Sequence, residues 1–131
     1  MSKSPYKMSV LLLEHVLEAV KPDLLIVCGS HKAVVDVFVP ENDREEVFLV
    51  VDDIDSEDVM TTGAMVDKLK TIKSNYSVSL AKENPDDKGE LYKLCDLAQT
   101  IMLLEGTDKD DKPVIRVGLM AMPNHNGGLK I

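Results

Sequence analysis

Three apolar runs in close succession set the fold class: Leu24-Leu25-Ile26-Val27-Cys28, Ala33-Val34-Val35-Asp36-Val37-Phe38-Val39 and Val47-Phe48-Leu49-Val50-Val51-Asp52-Asp53. They are apolar at nearly every position rather than at alternate ones, the mark of strands covered on both faces. Gly29-Ser30-His31-Lys32 divides the first two, short enough for a hairpin loop with glycine at a φ > 0 position. A polar loop over residues 40–46 precedes the third. Loops this short cannot carry a parallel crossover, so the three strands are expected to form an antiparallel meander.

Upstream, residues 5–20 read as a helix. Met8, Leu11, Leu12, Val16 and Ala19 recur at helical spacing, and Leu13, Leu17 and Val20 widen the stripe until little polar face is left. A helix that apolar is either buried in its own chain or covered by a second subunit, which raises the expectation of a homodimer through helix 5–20. Lys21-Pro22 ends it. Downstream, the acids of Asp55-Ser56-Glu57-Asp58 suit a helix N-terminus, and a second helix is expected through residue 74 with Val59, Met65, Val66, Leu69 and Ile72 inward. Gly63 costs it about 1 kcal/mol relative to alanine unless something packs closely there.

Ser77-Val78-Ser79-Leu80 alternates as an edge strand would, and residues 84–89 form a turn. Asp87 with Glu90 has capping-box spacing for a third helix through Glu105, whose face is Leu91, Leu94, Cys95, Ala98, Ile101 and Met102, with Gly106 stopping it. Residues 114–122 are a last strand, and Pro123-Asn124-His125-Asn126-Gly127-Gly128 opens a polar tail. The expected architecture is a single α/β domain over residues 1–122, in the order α-β-β-β-α-β-α-β, with a five-stranded mixed sheet, three helices and a flexible tail over 123–131. No internal repeat is visible.

The chain has 131 residues, 44% of them hydrophobic and 29% charged, the balance of a globular protein able to bury a core without a metal or disulfide staple. No apolar stretch approaches the roughly 20 residues of a membrane span, and no small-x-small cleavage site follows Lys3 and Lys7, so a cytoplasmic location is expected. The two cysteines, Cys28 and Cys95, read as buried free thiols. The seven methionines read mainly as core filler. A net charge of −8, no Trp and few aromatic platforms disfavour general nucleic-acid binding. No phosphate-binding glycine loop, nucleophile elbow or His/Cys metal spacing is present; His15, His31 and His125 stand apart.

Two constellations carry possible chemistry. No cofactor is expected, but Asp52, Asp53 and Asp55 lie close enough for their oxygens to share one hard cation such as Mg²⁺ or Ca²⁺, with Mg²⁺ or Mn²⁺ as the candidate cofactor. Phe48-Leu49-Val50-Val51-Asp52-Asp53 resembles the acidic strand end of a response-regulator receiver domain, but only 78 residues follow Asp53 and no later phospho-acceptor strand is present. The order α-β-β-β-α-β, with Asp36 on the second strand and Glu14 on the first helix, resembles the core of the PD-(D/E)xK nuclease superfamily. That resemblance implies metal-assisted phosphodiester hydrolysis through two carboxylates and a lysine. The lysine is missing at the required spacing after both Glu46 and Asp52.

The leading expectation is therefore a small acidic, non-enzymatic protein that acts by binding another protein, as a regulatory or inhibitory module. The competing expectation is a divalent-metal phosphodiester or nucleotide hydrolase using Asp36 with Asp52 and Asp53, or an inactive relative of the nuclease fold.

Overall fold

The computed structural model describes residues 7–29, 31–40, 45–83, 90–108 and 110–121. Elements run in the order α1 (Val10–Glu18), β1 (Leu25–Cys28), β2 (Lys32–Phe38), β3 (Glu46–Asp53), α2 (Thr62–Leu69), β4 (Ser77–Glu83), β5 (Leu91–Thr107) and β6 (Pro113–Ala121). The six strands close into a barrel in sequence order. β1, β2 and β3 form the expected antiparallel meander, and β4, β5 and β6 form a second one. Parallel seams join the two, β3 to β4 across the α2 crossover and β6 to β1 at the closure.

This corrects the five-stranded sheet with three helices. Residues 91–107 are one long strand, not a helix, because β5 must pair with β4 over Leu91–Asp96 and with β6 over Leu97–Thr107 for the barrel to close. Closure also makes β4 an interior strand rather than an edge. It ends the topological likeness to the nuclease core, which is an open sheet. Both helices are shorter than expected: Ser9 caps α1 by accepting from the Leu12 N–H, and Thr61 caps α2 by accepting from the Ala64 N–H. The 84–89 turn with the Asp87 cap and the 123–131 tail lie outside the described residues.

The barrel is an internal duplication that the sequence hides. Ser9 bridges Ser77, and Leu25 bridges Thr61. Val10 and Leu11 at the start of α1 donate to the Tyr76 and Ser74 carbonyls, as Thr62 and Gly63 at the start of α2 donate to those of Leu24 and Pro22. The Met8 carbonyl accepts from Val78 N–H, as that of Met60 accepts from Ile26 N–H. Every pair repeats at a constant offset of 52 residues. Over residues 9–28 against 61–80, however, only Leu17/Leu69 and Lys21/Lys73 are identical.

The two leaders are exchanged. Met8 enters between β4 and β5, donating to the Leu97 carbonyl, and Met60 enters between β1 and β2, donating to the Val34 carbonyl. Each methionine is buried in a single core with Leu13, Leu17, Ile26, Val34, Leu49, Met65, Leu69, Leu80, Leu97 and Val117. Within α1, only Leu11 is a large exposed apolar side chain; Val10, Leu13 and Leu17 are buried, and Leu12 and Val16, with Val20 just beyond the helix, pack against the core. The apolar stripe of α1 is therefore satisfied within the chain. No described helix is long and apolar enough to cross a membrane.

Candidate interaction surface

The acids singled out by the sequence do not gather. Asp36, on β2, sits 3.2 Å from Lys68 Nζ of α2, and its Oδ1 accepts from the Val37 N–H at 2.8 Å. Asp52 Oδ1 accepts from the Asp53 N–H at 2.7 Å, and Asp53 Oδ1 from the Asp55 N–H at 2.9 Å, so both carboxylates shape the turn that leaves β3. As neighbours on one strand, Asp52 and Asp53 point to opposite faces. Among the described residues, no group of three or more His, Cys, Asp or Glu side chains is placed to hold a metal ion. Asp52 lines a cleft of about 320 Å³ with Lys32, Val35, Val50, Lys82 and Glu83, a balanced set of two bases and two acids. Asp108 is likewise spent locally, accepting from Asp110 and Lys112 N–H in the turn between β5 and β6. His15 and His31 are exposed, and His125 and Ser30 lie outside the described residues.

A charged cluster that sequence reading missed joins β3, β4, β5 and the N-terminal leader. Glu46, only 8% exposed, accepts from Ser79 Oγ at 2.5 Å, Lys93 Nζ at 2.8 Å and Lys7 Nζ at 3.3 Å. Asp96 sits 2.7 Å from Lys93 Nζ and 2.9 Å from Lys7 Nζ. Burial pushes both carboxyls up, but the hydrogen bonds and charges of the two lysines outweigh it and hold Glu46 and Asp96 below the usual carboxylate range. Burial likewise pushes Lys93 down and its two acidic partners overcome that, leaving it above the usual lysine range. The cluster pins the leader between β4 and β5. It has the chemistry of a clasp rather than of a catalytic site, because Ser79 is fully buried and its hydroxyl is committed to acids.

The thiols are equally closed off. Burial, with Cys95 nearby, pushes Cys28 up to about 12 against the pull of Lys32. Burial and Asp96 raise Cys95. Neither has the thiolate character that reactivity needs.

Surface apolarity concentrates instead on β5, β6 and β1. Met102 pairs across from Gly118 and Leu104 from Arg116, and β1 adds Leu25 beside Arg116 and Val27 beside Gly118. Alternation puts Leu25, Met102, Leu104 and Met120 on one outer face, at 37%, 45%, 37% and 40% exposure. Gly118 is the floor of this face: a Cβ there would lie 2.7 Å from Leu104 Cδ1. The opposite face of the same hairpin carries Leu103 and Ile115, at 57% and 46%. β6 meets β1 only over Arg116–Leu119, so the β5–β6 hairpin extends beyond β1. The methionines thus divide: Met8, Met60 and Met65 are core, whereas Met102 and Met120 are surface. The signal in the sequence was the uncharged run from Leu97 to Leu104, which a helical reading had turned inward. Compared with protein-family models, curated proteins and solved structures, the chain matches none.

Proposed function

We propose that the protein is a non-enzymatic binding module whose partner protein docks on the outer face of β5, β6 and β1. The observation that carries this reading is the contiguous apolar face of Leu25, Met102, Leu104 and Met120 around the Gly118 floor. Exposed apolar side chains gathered on one sheet, rather than scattered singly, mark interaction sites. Arg116 places a cation on that face, in a chain of net charge −8, and suits a partner that is apolar with an acidic or carbonyl-rich rim.

The test is quantitative binding with a Met102→Lys, Leu104→Lys double variant. Partners are captured from the native host and purified, and their affinity is then measured by calorimetry. A saturable partner of the wild-type chain that loses at least a hundredfold in affinity to the folded variant supports the docking face; undiminished affinity sinks it. The competing hydrolase reading draws on Asp52 in its cleft. It requires a rise in melting temperature with millimolar Mg²⁺ or Mn²⁺ that disappears in an Asp52→Asn, Asp53→Asn variant. A site at about 100 times its Kd would add about 2.7 kcal/mol.

A further inference from the structure

We infer that the cleft between the ends of β3 and β4 binds a small aliphatic zwitterion of the α-amino acid class. The cleft lies in a fork of the barrel. β3 and β4 pair in parallel only as far as Val50↔Ala81. Beyond that, β3 stays with β2 as far as Asp53↔Lys32, and β4 stays with β5 as far as Glu83↔Leu91. Parallel neighbours that part at their carboxyl ends open a crevice between them, the place where ligands settle in parallel sheets and in barrel mouths. A bulge sits on each side of the fork: the register slips at Val35 between β2 and β3, and between Leu80 and Ala81 where β4 meets β5. Bulges bend strand ends and re-aim side chains at barrel rims and beside binding sites. The cleft has a volume of about 320 Å³, within the size range of small-ligand sites.

The lining selects the ligand. Val35, Val50 and Val51 supply apolar surface for an aliphatic group. Lys32 and Lys82 line the cleft half-buried, whereas Asp52 and Glu83 line it exposed. Among the described residues, Lys32 forms no ion pair with Asp52 or Glu83, so these charges do not neutralise one another directly. A simple anion would meet two carboxylates as well as two ammonium groups, and a simple cation likewise, so attraction and repulsion offset each other. A molecule bearing both charges gains at both, its carboxylate at the lysines and its ammonium at the acids. Nor is this charge set imposed by the backbone plan. The other parallel seam, β6 on β1, forks in the same way after Leu119↔Cys28. At the equivalent positions it carries Met120, Ala121, Ser30 and His31 in place of Val50, Val51, Lys82 and Glu83.

The cleft is built from β2, β3 and β4 and the docking face from β5, β6 and β1, so the two readings can fail separately. Two-dimensional NMR of the full-length chain titrated with L-leucine should show saturable amide shifts concentrated at 32–35, 50–53 and 82–83. Glycine lacks the aliphatic group, and isocaproate and isoamylamine each keep one charge of leucine; all three should bind at least tenfold more weakly. Lys32→Gln and Asp52→Asn should each weaken leucine binding at least tenfold. Asparagine keeps the Oδ1 that accepts from the Asp53 N–H, so the turn after β3 survives that change. Absence of saturable shifts with leucine overturns the inference. Isocaproate or isoamylamine binding as tightly as leucine also overturns it, by showing a site for a single charge. Shifts that appear only with added Mg²⁺ would make it a metal site instead, and unaltered leucine affinity in both folded variants would place the ligand elsewhere.

Discussion

Glu46 concentrates more of the local energetics than any other ionisable residue described. Three donors converge on its buried carboxylate, two of them lysines on segments far apart in sequence, Lys7 and Lys93. Glu46→Gln keeps the shape but removes the charge that the lysines face, and should cost about 1.5–3 kcal/mol in urea unfolding at neutral pH, the range for hydrogen bonds to charged groups. The pH dependence has a fixed sign. Glu46 and Asp96 are held below their unfolded values, so the unfolded chain takes up protons first as pH falls. Their contribution is full above the ordinary carboxylate range and is lost as pH descends through it to the lower folded values. Wild-type stability should therefore drop on acidification through about pH 4 and below, and Glu46→Gln should flatten that drop. An equally steep acid profile in the variant would assign the effect to other carboxylates. Cys28 gives a second prediction at this scale. With its thiol pushed up to about 12 and its side chain buried, alkylation at neutral pH should proceed only as fast as the barrel opens, and denaturant should accelerate it.

Among the elements, β5 shows how far the fold was legible and where it ceased to be. β1, β2 and β3 could be read because each is short, rich in Val and Ile, and bounded by turn residues. β5 is none of these, and its two bulges disguise it. A register shift beside Leu94 and another between Leu97 and Ile101 break the period of two. The inward-facing residues around Leu94/Cys95, Leu97 and Ile101 then fall three and four apart, which is the spacing of a helix face. Its Leu, Lys, Ala, Gln and Met are good helix formers as well, and only pairing with strands on both sides overrides them. The clasp was hidden for a related reason: Lys7, Glu46, Ser79, Lys93 and Asp96 share no local pattern and meet only once the barrel forms. The exposed apolar face was present as an uncharged run, but assigning it to a helix sent it to the core. In α2, Gly63 was legible as an anomaly and the structure supplies its cause. A Cβ at Gly63 would lie 3.1 Å from both Cβ and the carbonyl oxygen of Pro22, and that oxygen already accepts from the Gly63 N–H. Alanine would gain about 1 kcal/mol of helix propensity. The backbone of Pro22 cannot yield without losing this hydrogen bond, so Gly63→Ala should lower the melting temperature instead; a rise would mean that the contact of α2 with Pro22 is looser than its geometry implies.

At the scale of the whole molecule, the duplication divides labour between halves that share a backbone plan. The register of β3 on β4 puts Glu46 beside Ser77, and that of β6 on β1 puts Arg116 beside Leu25. Glu46 and Arg116 are thus equivalent positions, as are Ser79 and Val27 at the repeat offset. One half has filled this position with a charged clasp over its inserted leader. The other sets Arg116 there between Leu25 and Leu104, over buried Val27 and Gly118, and leaves those two leucines exposed on the proposed docking surface. Because each leader lies between strands of the opposite half, neither half has a complete sheet or core alone. Met8 reaches β4 and β5, Met60 reaches β1 and β2, and both parallel seams join the halves. Cleavage of the chain in the exposed turn between Glu57 and Asp58 should therefore leave two fragments that lack cooperative unfolding separately. Mixed, they should reassemble, with the near-ultraviolet dichroism and cooperative melting of the intact protein, because every contact except one peptide bond is available to them. Met60→Ala in the second fragment should weaken reassembly by about 2–5 kcal/mol, the cost of emptying a buried methionine site, even though that methionine belongs by sequence to the half opposite the strands it fills. Independent folding of either fragment would show instead that exchange of the leaders decorates two self-sufficient halves rather than holding one barrel closed.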